Sequence, residues 1–286
     1  MRNEGIFSKT KVVVIASAVS IAAFVSFLLI QTDINAENKE YGVPKAAVID
    51  QLQIDIPNEY FDKKATEFLK TAGYKVDLYT TENVTIDFYR KLPSMNYKFI
   101  VVRSHALAKE TDDKSVMLFS GERYTTDKYI QEQLFGQITR GTPLLEEEFL
   151  ARLGNFTHFE AGDSGTLLNI TMPAKRIERA HNEFFLITPK LVNELMVGKF
   201  PRSVVVLGGC STLSNPSMAE SMIGRGASSI IGWNDFVGSA DNDRIILNVL
   251  EEILINKMEP KAAVNLVMNN YHHNPKYPGI LEYYSR

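Results

Sequence analysis

Past residue 45, short apolar runs alternate with segments that carry apolar residues at helical spacing. Residues 45–52, 74–80 and 97–102 have the character of strands, and residues 58–72 and 85–92 that of helices. Strands that alternate with helices in this way form βαβ units, in which right-handed crossovers connect parallel strands. The sequence therefore predicts an α/β fold with a mostly parallel sheet flanked by helices.

The alternation breaks between about residues 107 and 183, where hairpin-like pieces and a polar helix at 126–138 are mixed. We predict that this stretch is a mixed α/β insertion over one end of the sheet. The regular pattern resumes with an apolar run at 184–187, and Thr188-Pro189 is typical of a helix start. Strands are then expected at 203–207 and 228–232, and helices at 217–225, 240–256 and 260–270.

An uncharged run of 19 residues stands near the N-terminus, from Val12 to Ile30. A helix of this length spans about 30 Å, which is the thickness of a bilayer core. The run is long for a cleaved signal peptide, whose apolar region has about 7–15 residues. We predict that residues 1–36 are a cytoplasmic stub followed by a transmembrane signal anchor. A cleaved signal peptide and a buried core helix are the alternatives.

The flanking charges predict the orientation of this segment. Arg2, Lys9 and Lys11 precede the apolar run, and the positive-inside rule places such a flank in the cytoplasm. Residues 37–286 would then form one extracytoplasmic domain on a single-pass anchor, so the membrane is one expected partner. Three N-x-S/T sequons in the domain are compatible with that location.

Composition excludes several classes of site. The single cysteine excludes an internal disulfide framework and any metal or iron–sulfur site built from several cysteines. A net charge of −3 and a pI near 6.0 argue against a nucleic-acid partner. The histidines show no metal-ligand spacing, so we expect neither a metal nor a cofactor. The sequence leaves the oligomeric state open.

Two of the buried strands lead into a chemically reactive side chain. The strand at 97–102 is followed by His105, and the strand at 203–207 runs through two glycines into Cys210. In open parallel sheets, ligands bind beyond the carboxyl ends of the strands. If the two strands are neighbours, the imidazole and the thiol face one cleft, and an imidazole can activate a nearby thiol. The pattern therefore predicts a catalytic Cys–His dyad.

The surrounding motifs resemble the caspase/separase/CHAT group of cysteine peptidases. In that group a histidine and then a cysteine each follow an apolar strand, as His105 and Cys210 do. Residues 186–189 (LITP) and 204–212 (VVVLGGCST) are similar to the CHAT pattern of a Thr-Pro helix, an apolar strand and a cysteine. Residues 226–233 (GASSIIGW) are similar to the segment that follows. The resemblance does not cover residues 107–183.

The resemblance implies a caspase-like fold and hydrolysis of peptide bonds in a peptide or protein substrate. Cys210 would be the nucleophile and His105 the general acid and base, with an oxyanion hole formed by backbone N–H groups near Ala106 and Gly209. Ala106 departs from the family, in which glycine usually follows the histidine. In separase-type members an acidic residue after the tryptophan binds a basic substrate side chain, which implies this role for Asp235 or Asp241.

Two other functions remain open. The domain could be a catalytically inactive, membrane-anchored binding or scaffold domain in which the dyad is vestigial. A class I glutamine amidotransferase would also use a cysteine and a later histidine, here His272 or His273. Its nucleophile turn requires glycine two residues after the cysteine, where this chain has Thr212.

Overall fold

A computed structural model describes residues 42–108, 115–143, 183–272 and 276–286. The chain divides into two units after Pro44, and the second unit, Lys45–Arg286, contains every helix and strand described below. The predicted membrane anchor, Val12 to Ile30, lies outside the described residues. Within the described ranges, no helix has the length and apolar character needed to cross a membrane.

The main sheet has six strands in the order β10-β9-β8-β3-β1-β2. All neighbouring strands are parallel except β10, which pairs antiparallel with β9. This confirms the predicted α/β fold with a mostly parallel sheet. The strands are β1 (Lys45–Asp50), β2 (Lys75–Thr80), β3 (Tyr97–Arg103), β8 (Val204–Gly208), β9 (Ser229–Trp233) and β10 (Leu281–Tyr284).

Helices cover both faces of this sheet, because successive residues of a strand point to opposite faces. Ala46 and Val48 of β1 belong to the core beneath α1, α6 and α7, whereas Ala47 and Ile49 belong to the core beneath α2, α4 and α5. The seven α-helices of the described ranges are α1 (Glu59–Thr71), α2 (Ile86–Lys91), α3 (Ile130–Leu134), α4 (Pro189–Glu194), α5 (Ser217–Gly224), α6 (Ser239–Leu254) and α7 (Pro260–Asn269).

Side-chain caps explain where three of these helices begin. Asn58, Thr85 and Thr188 each accept a hydrogen bond from the backbone N–H three residues later. Such a bond satisfies one of the N–H groups that the first helical turn leaves without a partner. The predicted helix start at Thr188-Pro189 is confirmed.

A second, antiparallel sheet contains the described part of the predicted insertion. Its order is β4-β5-β7-β6, formed by β4 (Ala106–Ala108), β5 (Val116–Arg123), β6 (Ile138–Gly141) and β7 (Phe184–Ile187). The regular pattern was expected to resume at β7, but this strand pairs with β5 and β6 and not with the main sheet. A four-residue apolar run is compatible with either sheet, and only the tertiary structure selects its partners.

Two further differences concern single elements. The polar helix expected over residues 126–138 is shorter, since only Ile130–Leu134 is helical. Strand β10 was not predicted, because a short edge strand with a half-exposed face has little hydrophobic pattern. The hairpin-like piece expected at 166–171 lies outside the described residues.

Candidate functional site

A cavity of about 440 Å³ opens beyond the carboxyl ends of β3 and β8. Both members of the predicted dyad, His105 and Cys210, lie in its wall. The order of the main sheet reverses between β1 and β3, and ligand sites of open α/β sheets lie at such a switch point. The volume is within the range of about 300–1,000 Å³ that is usual for small-ligand sites.

Strand register places the chain segments that carry His105 and Cys210 at the ends of two neighbouring strands. Arg103 at the end of β3 pairs with Gly208 at the end of β8, and the Ser104 N–H donates to the Gly208 carbonyl at 2.9 Å. His105 and Cys210 each stand two residues beyond this pair. The predicted proximity of the two strands is thereby confirmed.

The backbone before and after Cys210 is closely constrained. A Cβ atom on Gly209 would lie 2.0 Å from the Ser104 carbonyl oxygen, so only glycine permits this approach of the two strand ends. Ser211, which follows the cysteine, has a left-handed backbone with φ of 56°. This conformation costs a non-glycine residue about 1–3 kcal/mol, and such strain is often found at functional sites.

Hydrogen bonds to the end of β9 hold that strained turn in place. The Ser211 N–H donates to the Asp235 carbonyl at 2.9 Å, and the Trp233 N–H donates to the Thr212 hydroxyl at 2.9 Å. The half-buried Cys210 thiol donates to the Val237 carbonyl, with the sulfur 3.3 Å from the oxygen. The thiol therefore has a defined orientation in the cavity wall.

His105 is held by both its backbone and its ring. Its N–H donates to Gln51 Oε1 at 3.0 Å, and its carbonyl accepts from the Phe119 N–H at 3.1 Å. The imidazole and the Phe119 ring pack in a T-shaped arrangement, with 5.8 Å between ring centroids. These contacts come from two different segments, the one after β1 and strand β5, so the tertiary structure holds His105 in place.

The buried nitrogen of His105 faces a carboxylate. Asp55 Oδ2 lies 3.4 Å from His105 Nε2, and the imidazole is only 14% exposed. Nε2 has no aligned hydrogen bond within the described part of the chain. Asp55 is therefore the carboxylate that the structure places beside the imidazole of the predicted dyad.

A buried ion-pair network underlies the site. Arg103, which is fully buried, donates to both carboxylate oxygens of Asp50 at 2.9 and 3.0 Å and to those of Asp243 at 2.7 and 2.8 Å. It also donates to the Ile56 carbonyl at 2.9 Å. Arg103 thus connects β3 to the end of β1, to the segment that follows β1 and to the N-terminal part of α6. These are the elements from which His105, Asp55 and part of the cavity wall project.

A third carboxylate lies close to this network. Burial, followed by the negative charge of Asp50, raises the pKa of Asp62 from its ordinary value to about 7. Arg103 lowers this pKa only in part, since it already pairs with Asp50 and Asp243, and Asp62 forms no ion pair among the described residues. Asp62 is therefore expected to carry a proton below neutral pH.

The raised pKa predicts that stability depends on pH. The folded pKa exceeds the unfolded value of about 3.9, so the folded state binds more protons between those values. The free energy of unfolding should then fall as the pH rises toward 7. The amide of Asp62→Asn is neutral at every pH. The free energy of unfolding of this variant, relative to that of wild type, should therefore rise by about 1–3 kcal/mol between pH 5 and pH 8.

Urea unfolding at the two pH values measures this difference. Asp87→Asn serves as the matched control, because the Asp87 side chain is 61% exposed and pairs on the surface with Arg90. Between the two pH values, the free energy of unfolding of Asp87→Asn relative to wild type should change by less than about 0.5 kcal/mol. An advantage of Asp62→Asn that is the same at pH 5 and pH 8 would contradict the assigned titration.

The other predicted site residues fall into two groups. Ala106 and Gly209 lie in the cavity wall beside the dyad. Asp235 and Asp241 are not part of the wall formed by the described residues. The Asp235 carboxylate accepts from the Phe236 N–H at 2.8 Å, and Asp241 forms a 2.6 Å ion pair with Arg244. Both carboxylates therefore form local contacts outside the described wall of the cavity.

Three site features were missed in the sequence. Gln51 and Asp55 follow β1, and Asn242 at the start of α6 lines the cavity while accepting a hydrogen bond from the buried Trp233 Nε1–H at 3.0 Å. For Gln51 and Asp55 a signal was present, because polar residues after a buried parallel strand lie at the ligand-binding edge. Asn242 gives no such signal, since its role depends on how α6 packs.

No protein-family model matches the chain, and no curated protein matches it. The resemblance to caspase/separase/CHAT peptidases therefore stays a prediction based on the motifs around His105 and Cys210.

Proposed function

We propose that residues 37–286 form a cysteine peptidase in which Cys210 attacks the peptide bond and His105 transfers the protons. The observation that carries this proposal is the convergence of His105 and Cys210 in the wall of one cavity, at the carboxyl ends of adjacent strands. The caspase-like motifs of the sequence support the same chemistry. The apolar segment from Val12 to Ile30 supports a membrane-anchored domain outside the cytoplasm.

The contacts of His105 suggest how the proton transfers proceed. Nε2 is buried against Asp55, so Nδ1 is the ring nitrogen proposed to accept the Cys210 proton. The thiol must leave the Val237 carbonyl for this transfer. The thiolate then adds to the substrate carbonyl carbon, and the oxygen becomes an oxyanion near the backbone N–H groups of Ala106 and Gly209.

The remaining steps return the enzyme to its starting state. The tetrahedral intermediate collapses as the C–N bond breaks, and the imidazolium gives its proton to the leaving amine. A thioester between Cys210 and the acyl part of the substrate remains. Water, deprotonated by His105, adds to the thioester, and the carboxylic acid leaves as the sulfur recovers its proton. Asp55 stabilises the imidazolium in both halves of the reaction.

One contact favours the alternative of an inactive binding domain. The Cys210 thiol donates to the Val237 carbonyl, an arrangement that also suits a structural cysteine. The two functions differ in the reactivity of the thiol. A catalytic thiol is activated by His105, whereas a structural thiol reacts slowly and independently of it.

Labelling with peptidyl chloromethyl ketones separates these functions. Cys210 is the only cysteine, so modification can be assigned by intact mass without other thiols contributing. We expect labelling of wild type at pH 7.5, at least about tenfold slower labelling of His105→Ala, and no labelling of Cys210→Ser. A labelling rate that His105→Ala leaves unchanged would overturn the dyad and favour the binding domain.

A further inference from the structure

Strand β4 begins one residue after His105 and forms an edge of the second sheet. Its three residues, Ala106, Leu107 and Ala108, all lie in the wall of the cavity that contains Cys210. In the described part of the chain, β4 pairs with β5 on one side only. An edge strand presents unpaired N–H and C=O groups, which can pair with another extended chain.

The register of β4 shows which backbone groups face this open side. Ala106 pairs with Leu118 and Ala108 with Val116, and the Phe119 N–H donates to the His105 carbonyl. Hydrogen-bonded and non-hydrogen-bonded pairs alternate along antiparallel strands. His105 is therefore in a hydrogen-bonded pair, and Ala106 and Ala108 are in non-hydrogen-bonded pairs. The N–H and C=O groups of both alanines thus point away from β5.

The chemistry of the cavity wall indicates what kind of side chain it accommodates. Among the residues that line the cavity are four with large apolar side chains: Leu52 and Ile56 from the segment after β1, Phe119 of β5 and Val237 after β9. Among the described residues of the wall there is no Asp, Glu, Lys or Arg. An ionised side chain transferred into such a site would lose its hydration without a charged partner, whereas an apolar side chain gains from leaving water.

We propose that the substrate is an extended peptide that adds to the open edge of β4 and places an apolar side chain in this cavity. The apolar side chain belongs to the residue whose carbonyl Cys210 attacks. This inference rests on the proposed peptidase function and specifies its substrate class. Main-chain pairing with Ala106 and Ala108 orients the peptide, while the apolar wall selects the side chain, as in other cases of strand addition.

A series of fluorogenic peptides tests the side-chain preference. The peptides share one sequence and differ only at the residue before the cleaved bond, which is Leu, Phe, Asp or Arg. We expect kcat/KM for Leu and Phe to exceed that for Asp and Arg by at least about tenfold. The inference is wrong if Arg or Asp is preferred, and an Arg preference would support the role first predicted for Asp235 or Asp241.

The pair Ala108→Pro and Ala108→Gly tests the proposed strand addition. Proline removes the N–H that faces the open edge but no bond of the β4–β5 ladder, whereas glycine keeps this N–H. We expect Ala108→Pro to lower kcat/KM for the extended Leu peptide by about tenfold, which corresponds to one main-chain hydrogen bond. Because Ala108→Gly keeps this N–H, its kcat/KM for the Leu peptide should be at least about threefold higher than that of Ala108→Pro.

Alkylation of Cys210 by iodoacetamide, which is too short to pair along β4 as an extended peptide does, shows whether the dyad remains intact in both variants. The alkylation rate of each variant should match that of wild type. If Ala108→Pro lowers kcat/KM about tenfold but leaves the alkylation rate unchanged, the loss is due to strand pairing. Equal losses in the proline and glycine variants, or no loss in either, overturn the inference while the peptidase function stands. Failure to cleave any peptide overturns the proposed function and the inference with it.

Discussion

The His105→Ala variant is expected to hydrolyse peptides about 10²–10⁴-fold more slowly than the wild-type protein. Alanine removes the only group proposed to accept the Cys210 proton and to protonate the leaving amine. The loss should appear mainly in kcat, because the imidazole acts in the transition state and contributes little to substrate binding. Steady-state hydrolysis of the Leu peptide at pH 7.5 measures it.

His272 provides the matched control for this substitution. It is exposed near the C-terminal end of the chain and does not belong to the cavity wall. His272→Ala should retain wild-type activity if His105 is the catalytic histidine. Loss of activity in His272→Ala together with full activity in His105→Ala would instead support the glutamine amidotransferase arrangement.

Asp55 should influence the same activity through the imidazole. Asp55→Asn keeps the shape of the side chain but removes the charge 3.4 Å from Nε2. Because an amide cannot stabilise the imidazolium that is proposed to form when Cys210 loses its proton, kcat for the Leu peptide should fall about tenfold, while KM stays within about twofold. A purely structural role would instead change KM and the free energy of unfolding together with kcat.

Replacing Arg103 by methionine is expected to lower the free energy of unfolding by about 3–5 kcal/mol. Methionine leaves Asp50 and Asp243 buried without the cation that neutralises them. Their side chains are 0% and 8% exposed, so water cannot replace the lost hydrogen bonds. Equilibrium unfolding in urea, followed by the fluorescence of the single tryptophan, measures the loss.

A surface ion pair serves as the comparison. Arg244 pairs with Asp241, but its side chain is 54% exposed. Arg244→Met should therefore cost no more than about 1 kcal/mol. Restoring neutrality in the triple variant Arg103→Met, Asp50→Asn, Asp243→Asn should recover part of the loss. A cost of less than 1 kcal/mol for Arg103→Met would show that the buried network is not needed for stability.

This network also relates the stability of the domain to its candidate chemistry. Arg103 lies two residues before His105, and its partner Asp50 precedes Gln51, which accepts a hydrogen bond from the His105 N–H. The buried pair of Arg103 and Asp50 therefore holds both chain segments that position His105. Variants of Arg103 should consequently be compared for activity only at temperatures well below their unfolding transition.

Much of the main sheet was predictable from local pattern. Parallel strands buried on both faces appear as short apolar runs, and the helices between them have their own periodicity and caps, such as Asn58 and Thr188. The same pattern located His105 and Cys210, because residues after buried parallel strands lie at the ligand-binding edge. The placement of β7 in the second sheet was not predictable, since its apolar run carries no information about its partners.

The sequence by itself determined the α/β class, the segments that form most of the parallel strands and the positions of His105 and Cys210 after two of those strands. These features depend on neighbours a few positions away. Only the tertiary structure decided that β3 and β8 are adjacent, that Asp55 faces His105 and that Arg103 neutralises two distant carboxylates. These contacts join residues 50 to 140 positions apart. Their formation depends on how whole elements pack, and no local pattern encodes that packing.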